Sequence, residues 1–430
     1  MDKSRLPVIA CGTRTPFLDS GGDYSPLMSH ELASEALRGT LTRSGLDPAR
    51  IGMVMAGTVV HEVETSNVAR EAMIGAGLPA TIPACTTSMA GLSATASVTS
   101  LADMIRLGRI EAGLAAGTET FSDVPLRLSP ALRRGAMRLR QNGSAATALR
   151  LLASLRPRDL LPVMPSGGDH TTGMTMGACT EVMVRATGVR REDSDAFALR
   201  SHQLATRAAG LLQQDIVPVT VAASGRHVTH DNTPRPDCSL ASLAKLTPVF
   251  DREHGIITAG TASRFTDGAA ALLLTSAALA EREGLEALAV VSDHVFAGVG
   301  DLAGEMLFGP AVSIPRLLRR NRLTVADIGV WELHEAFAAQ ILANQACLAS
   351  AAFADRYHDG WVAGEIPLER LNTWGGSLAL GNPFAATGIR LLVTAARRLR
   401  AERQRYAVVS SCAGGGLGAA VLLENPDFAG

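Results

Sequence analysis

The chain has 430 residues and a mass of 44.8 kDa, which suits two or three domains. Hydrophobic residues make up 47% and charged residues 19%, so a disordered chain is excluded and a large core is expected. Lys+Arg number 40 against 41 Asp+Glu, and aromatics are limited to 11 Phe, 3 Trp and 3 Tyr. That balance argues against a nucleic-acid binder, whether a basic surface or a stacking platform is considered.

The opening residues, MDKSRLPVIACGTRTPF, lack the apolar core of a signal peptide. No apolar run approaches the ~18 residues of a membrane-spanning helix. The six cysteines, at 11, 85, 179, 238, 347 and 412, form no C-x-x-C pair and no zinc spacing. Reduced thiols in a cytoplasmic protein, with no metal site, are the expectation.

Residues 7–11 read as a first strand. Residues 29–44 read as a helix with Ser29 as a candidate N-cap, Leu32, Ala36, Leu37 and Leu41 on one face, and Gly45 as its stop. A buried strand follows at 51–57. The helix-turn-strand phrase at 36–57 returns at 313–334 with a constant offset of 277, pairing Leu46 with Leu323, Ala49 with Ala326 and Ile51-Gly52 with Ile328-Gly329. A small-residue helix over 88–107 leads to a strand at 113–117, and a helix over 386–400 leads to a strand at 406–416. Two matches in the same order predict a duplicated α/β unit. The halves are separated by an irregular stretch over 122–250, in which Val124 to Arg158 carries eight arginines and no Asp or Glu. Such a run is most often a solvated face; the sharper readings are a phosphate, lipid or partner surface.

Four places carry candidate chemistry. Cys85, in TIPACTTSMAGLSAT, is expected at the N-terminus of a buried helix, where free amides and the helix dipole favour a thiolate. The bland alternative is a buried structural cysteine. His334, in WELHEAFAAQ, falls at the end of the repeated strand, where α/β folds place their sites. Ala338 stands where an HExxH zinc site needs its second histidine, and a lone His is more often a satisfied core residue. GGSLALGNPFAATG at 375–388 lacks the GKS or GKT of a phosphate loop and is otherwise a tight turn into a helix. SSCAGGGLGAA at 410–420 ends a strand at Cys412 and exposes glycine amides that can hold an oxyanion, or it is simply a hairpin.

Together, in this order, these phrases resemble the thiolase family over nearly the whole chain, from TRTPF at 13–17 to GLGAAVLLE at 416–424. HEAFAAQ is similar to the beta-subunit (trifunctional-complex) type of 3-ketoacyl-CoA thiolase, and KLTPVFDREHGIITAGTASRFTDGAAALLL at 245–274 is similar to the family's return into its first half. The resemblance implies an α/β thiolase fold: two five-stranded halves in an α-β-α-β-α stack, with an inserted loop domain over the coenzyme A site. The domains implied are 1–121 continued at 251–276, an insert at 122–250, and 277–430. It also implies acyl-CoA substrates with no tightly bound cofactor, a homodimer or homotetramer, and an alpha-type subunit or membrane contact through 124–158.

Residue by residue, the resemblance makes Cys85 the acylated nucleophile and Cys412 the thiol that moves the α-carbon proton. Gly414, with the Cys85 amide, forms an oxyanion hole. His334 is a donor to the second thioester oxygen, and Ser263 lies beside the pantetheine arm. Asn382 departs from the pattern, since the family has Gly-His-Pro where this chain has Gly-Asn-Pro. Its amide can donate a hydrogen bond but cannot act as a general base, a loss that costs about 10²–10⁴-fold. The expected activity is Claisen chemistry on a 3-ketoacyl-CoA through acyl-Cys85. The alternatives are a decarboxylative condensing enzyme with a Cys-His-Asn site and a catalytically weakened CoA-binding homologue.

Overall fold

A computed structural model describes residues 2–163 and 167–428. The first strand is longer than PVIAC, running as β1 (Pro7–Arg14), with the short β2 (Leu18–Asp19) after it. Helix α1 (Ser29–Ser44) has the expected span, but its N-cap is Met28, whose N–H donates to Glu31 Oε2 at 2.8 Å; Ser29 is already helical. Gly45 ends it at φ 69°, a left-handed position that suits glycine.

The first half continues through β3 (Met53–Gly57), α2 (Val68–Gly75), β4 (Ala84–Thr87), α3 (Ser93–Arg106) and β5 (Ala112–Glu119). The helix expected over 88–107 therefore starts only at Ser93. Residues 84–87 run extended as β4 beside β3, with Thr86 Oγ1 donating to Asn67 Oδ1 at 2.9 Å, and a turn over 88–92, bridged from Met89 to Gly91, separates them from the helix. Between the two halves lie α4 (Pro130–Gln141), α5 (Ala145–Ser154), α6 (Met176–Thr187), α7 (Arg191–Arg207), α8 (Ala209–Leu212), the hairpin β6 (Val219–Val221) with β7 (Arg226–Val228), and α9 (Leu240–Leu243). The chain re-enters the first half as β8 (Thr266–Ser276), buried along its whole length.

The second half comprises α10 (Ala277–Arg282), β9 (Ala289–Gly298), α11 (Leu302–Glu305), α12 (Gly309–Asn321), β10 (Val330–Leu333), α13 (Ala338–Leu348), α14 (Ala351–Tyr357), α15 (Ser377–Leu380), α16 (Ala385–Ala401), β11 (Tyr406–Ala413) and β12 (Leu417–Glu424). Strand order across the molecule is β10-β11-β12-β9-β1-β8-β5-β3-β4. Read outward from its centre, the order is the same on both sides. β9 mirrors β1, β12 mirrors β8, β11 mirrors β5 and β10 mirrors β3. Among the described residues, the ladder joining β1 to β9 has two residue pairs, Val8↔Val290 and Ile9↔Ala289, so the halves are joined edge to edge by a short contact. The counterpart of β4 is reduced to a single bridge, Trp331↔Leu371, so the second half has four full strands and not five.

The central helices α3 and α16 fill the space between the sheets. Val98, Leu101 and Ile105 meet Ile389, Leu392 and Leu399 in one buried cluster, each such side chain contributing about 1.5–3 kcal/mol. The two helices approach closely because small residues line their crossing. A methyl group on Gly117 would lie 2.5 Å from the Ala385 carbonyl oxygen, and one on Gly388 would lie 2.4 Å from Thr95 Oγ1. Both substitutions would force backbone or side-chain movement where the helix N-termini meet. Among the described residues, no helix is long and apolar enough to cross a membrane.

Candidate active site

The duplication directs attention to the residues just before α3 and α16. Each helix is preceded by a non-glycine residue in the left-handed region, Ala90 at φ 46° and Phe384 at φ 26°. Such backbone strain persists only where surrounding structure enforces it. Gly91 stands at one entrance and Asn382 at the other.

Asn382 is buried and firmly oriented. Its N–H donates to the Arg264 carbonyl at 2.9 Å, and Thr387 Oγ1, in the first turn of α16, donates to its Oδ1 at 2.9 Å. Its Nδ2 is left to face Ser263 Oγ at 3.4 Å. The amide is thus fixed as a donor. Ser263 in turn donates its N–H to the Ala336 carbonyl at 2.9 Å, which ties it to the residues after His334.

His334 directly follows β10, as expected from its place at the end of the repeated strand, and its N–H donates to the Ser410 carbonyl at 2.9 Å. Two residues further along β11 is Cys412, buried at 3% exposure. Burial pushes the Cys412 thiol up to about 12, so it keeps its proton at neutral pH. Burial, and then the nearby Arg390 guanidinium, push His334 down to about 3, so its ring is neutral. Gly414 follows in the β11–β12 turn, and a methyl on it would lie 3.5 Å from Met176 Sδ at the start of α6. The insert therefore reaches over this end of the site.

Cys85 requires a correction. It does not stand at a helix N-terminus and it is not buried. It lies in β4, the edge strand, with its side chain exposed and its Sγ donating to its neighbour's carbonyl, Thr86 O, at 3.6 Å. Its ladder partner is Met55, whereas the start of α3 packs on Gly57, two positions onward. Cys85 is therefore about 7 Å short of the strand end at which the helix begins. The physical reason is the extended segment and turn that separate it from α3. The residue that faces Cys412 at the α3 entrance is Gly91, where a β-carbon would sit 3.7 Å from the Cys412 carbonyl oxygen and 3.7 Å from the Ala413 β-carbon. Those are ordinary contacts, so a β-carbon fits there; this chain has none.

The structure thus links Asn382 to Ser263, Ser263 to the residues after His334, and His334 to β11, which carries Cys412 and leads to Gly414, and it leaves Cys85 on the edge strand. The arrangement offers one buried thiol as a proton carrier and two hydrogen-bond donors for an oxyanion. It offers no thiol at the helix entrance. Gly91 was overlooked because a glycine among small residues carries no chemical signal. Ser377 and Arg390, beside His334, were also overlooked, although an arginine inside the apolar run of α16 is a legible sign of a buried polar contact.

Comparisons with known proteins match this architecture. The family model described as thiolase, N-terminal domain, matches residues 7–278, and that described as thiolase, C-terminal domain, matches residues 285–425. The trifunctional enzyme subunit beta of human mitochondria is 41% identical over 423 residues, covering 98% of this chain and 88% of that one. A 3-ketoacyl-CoA thiolase of Serratia proteamaculans is 37% identical over 419 residues, covering 97% and 96%. The crystal structure of the Bacillus anthracis acetyl-CoA acetyltransferase superposes with a TM-score of 0.82 at 30% identity, covering 98% of each chain.

Proposed function

The chain belongs to the thiolases, a family of acyltransferases, and from that premise we propose that it binds a CoA thioester and works at the α-carbon of that thioester. Cys412 carries the α-proton, while His334 and Asn382 hold the enolate oxygen. The observation that carries this reading is Gly91. The position against the Cys412 carbonyl at the α3 entrance has no side chain, while the Asn382 amide is held as a donor by Thr387 and faces Ser263. A cysteinyl intermediate at Cys85 finds no support in an exposed thiol on an edge strand. The decarboxylative alternative uses the same Cys85 and loses support with it.

The names of the relatives point to acyl-CoA thioesters and CoA as ligands. The word subunit in the name of the human relative favours a partner of alpha type. The basic stretch at 124–158 fits a docking role, since α4 and α5 bury no residue, α5 exposes Leu149 and Leu152, and the segment before α4 exposes Leu126 and Leu128 beside the arginines. Raised salt should weaken any such contact.

Deuterium exchange into the α-carbon of acetyl-CoA in D₂O tests the reading. The wild type should exchange, and Cys412→Ala should be slower by about 10²–10⁴-fold. Because Cys412 titrates near 12, the rate should climb about tenfold per pH unit above neutrality as the thiolate fraction grows. CoA binding with no exchange at any pH would favour the second reading, a CoA-binding homologue without catalysis. The pairing of Gly91 with Asn382 is the observation behind that reading.

A further inference from the structure

Among the described residues, His334 has a partner at one ring nitrogen and none at the other. Its Nδ1 lies 2.9 Å from Ser377 Oγ, at the start of α15. Ser377 Oγ is also 2.7 Å from Arg390 Nη2, in α16. An arginine can only donate, so the serine oxygen accepts from it. The serine proton must then go elsewhere. The one acceptor found for it among the described residues is His334 Nδ1. A neutral imidazole carries a single N–H, so acceptance at Nδ1 leaves the proton on Nε2.

We propose that Arg390 and Ser377 are positioning residues that lock His334 as its Nε2–H tautomer, turning a neutral imidazole into a hydrogen-bond donor for a thioester or enolate oxygen. The surroundings keep this relay rigid. Arg390 is 2% exposed and pairs with the buried Glu332 at 3.8 Å, which is itself held by Arg398 at 2.7 Å. The turn carrying Ser377 is pinned by Glu335, which accepts from Asn372 Nδ2 at 2.7 Å, Ser201 Oγ at 2.7 Å and the Leu378 N–H at 3.1 Å. The Arg390 charge also disfavours a second proton on His334. The use of the donor rests on the α-carbon reading above; the tautomer itself does not.

The test is nitrogen NMR of the histidine-labelled full-length protein without ligand, with the His334 signals identified by their loss in His334→Asn. The wild type should show an unprotonated Nδ1 and a protonated Nε2 across neutral pH. Ser377→Ala should move the ring toward a tautomer mixture, Ser377→Thr should restore it, and α-exchange should fall about 10²-fold in the alanine variant alone. A protonated Nδ1 in the wild type would overturn the relay, whether or not any variant folds. An unchanged tautomer in Ser377→Ala would overturn the role of Ser377. Absence of exchange in a wild type that shows the Nε2–H tautomer would count against the α-carbon reading and leave the relay standing.

Discussion

The two halves of this molecule are built on one plan and equipped differently at their central helices. In each, a residue in the left-handed region precedes a buried central helix, Ala90 after β4 in the first half and Phe384 after α15 in the second. At the α16 entrance, Asn382 is held by Thr387 and Arg264, and His334 is held by Ser377 and Arg390. At the α3 entrance, Gly91 presents nothing to Cys412. The second half thus supplies oriented donors and a proton carrier, and the first half supplies the space in which they act. Duplication sets where a site lies, while its chemistry depends on single side chains at equivalent positions.

The largest effect should come from re-equipping both entrances at once. Gly91→Cys combined with Asn382→His should raise thiolysis of a 3-ketoacyl-CoA by about 10²–10⁴-fold over Gly91→Cys alone, since a positioned base contributes that much. Equal rates for the double and single variants would mean that Asn382 already sits in a working proton path. Next in size is the framework beneath α16. Arg398 is fully buried and donates to Glu332, Glu402 and the carbonyls of Trp331 and Arg370. Arg398→Met should therefore cost about 3–5 kcal/mol in denaturant unfolding, because the buried Glu332 loses its short partner and keeps only Arg390 at 3.8 Å. A loss near zero would show that Arg390 alone can hold Glu332.

A smaller effect concerns pH. His334 titrates near 3 in the folded protein against 6.5 ordinarily, so the unfolded chain binds the extra proton between those values. Its contribution to stability is present above about 6.5 and is lost as pH falls toward 3. Thermal unfolding of the wild type and His334→Gln should therefore converge over that window, and parallel curves would contradict a buried neutral ring. The smallest effect is expected for Cys85→Ser. On an exposed edge strand it should change stability by no more than about 0.5 kcal/mol and leave α-exchange unaltered.

Much of this plan was legible in the sequence. The repeated phrase at 36–57 and 313–334 ends in β3 and β10, mirror positions in the sheet order. Cys412, His334 and Asn382 were legible because a cysteine before glycines, a histidine at a strand end and an asparagine before proline are conspicuous in patterned surroundings. Cys85 misled for the same reason, since a thiol beside a small-residue run resembles a helix entrance. The sequence could not reveal that Cys85 pairs with β3 and that a turn over 88–92 defers the helix to Ser93. The partners of His334 were hidden because Ser377 and Arg390 reach it only through tertiary packing.

The central claim is that the acyl group is not carried on Cys85, and peptide-mapped mass spectrometry tests it most directly. The wild type and Gly91→Cys would each be incubated with acetyl-CoA and then mapped for acyl adducts. The account predicts no transferable adduct on the wild type and a single acyl group at position 91 in the variant, released on adding CoA. An adduct on Cys85 of the wild type that passes to added CoA would contradict it.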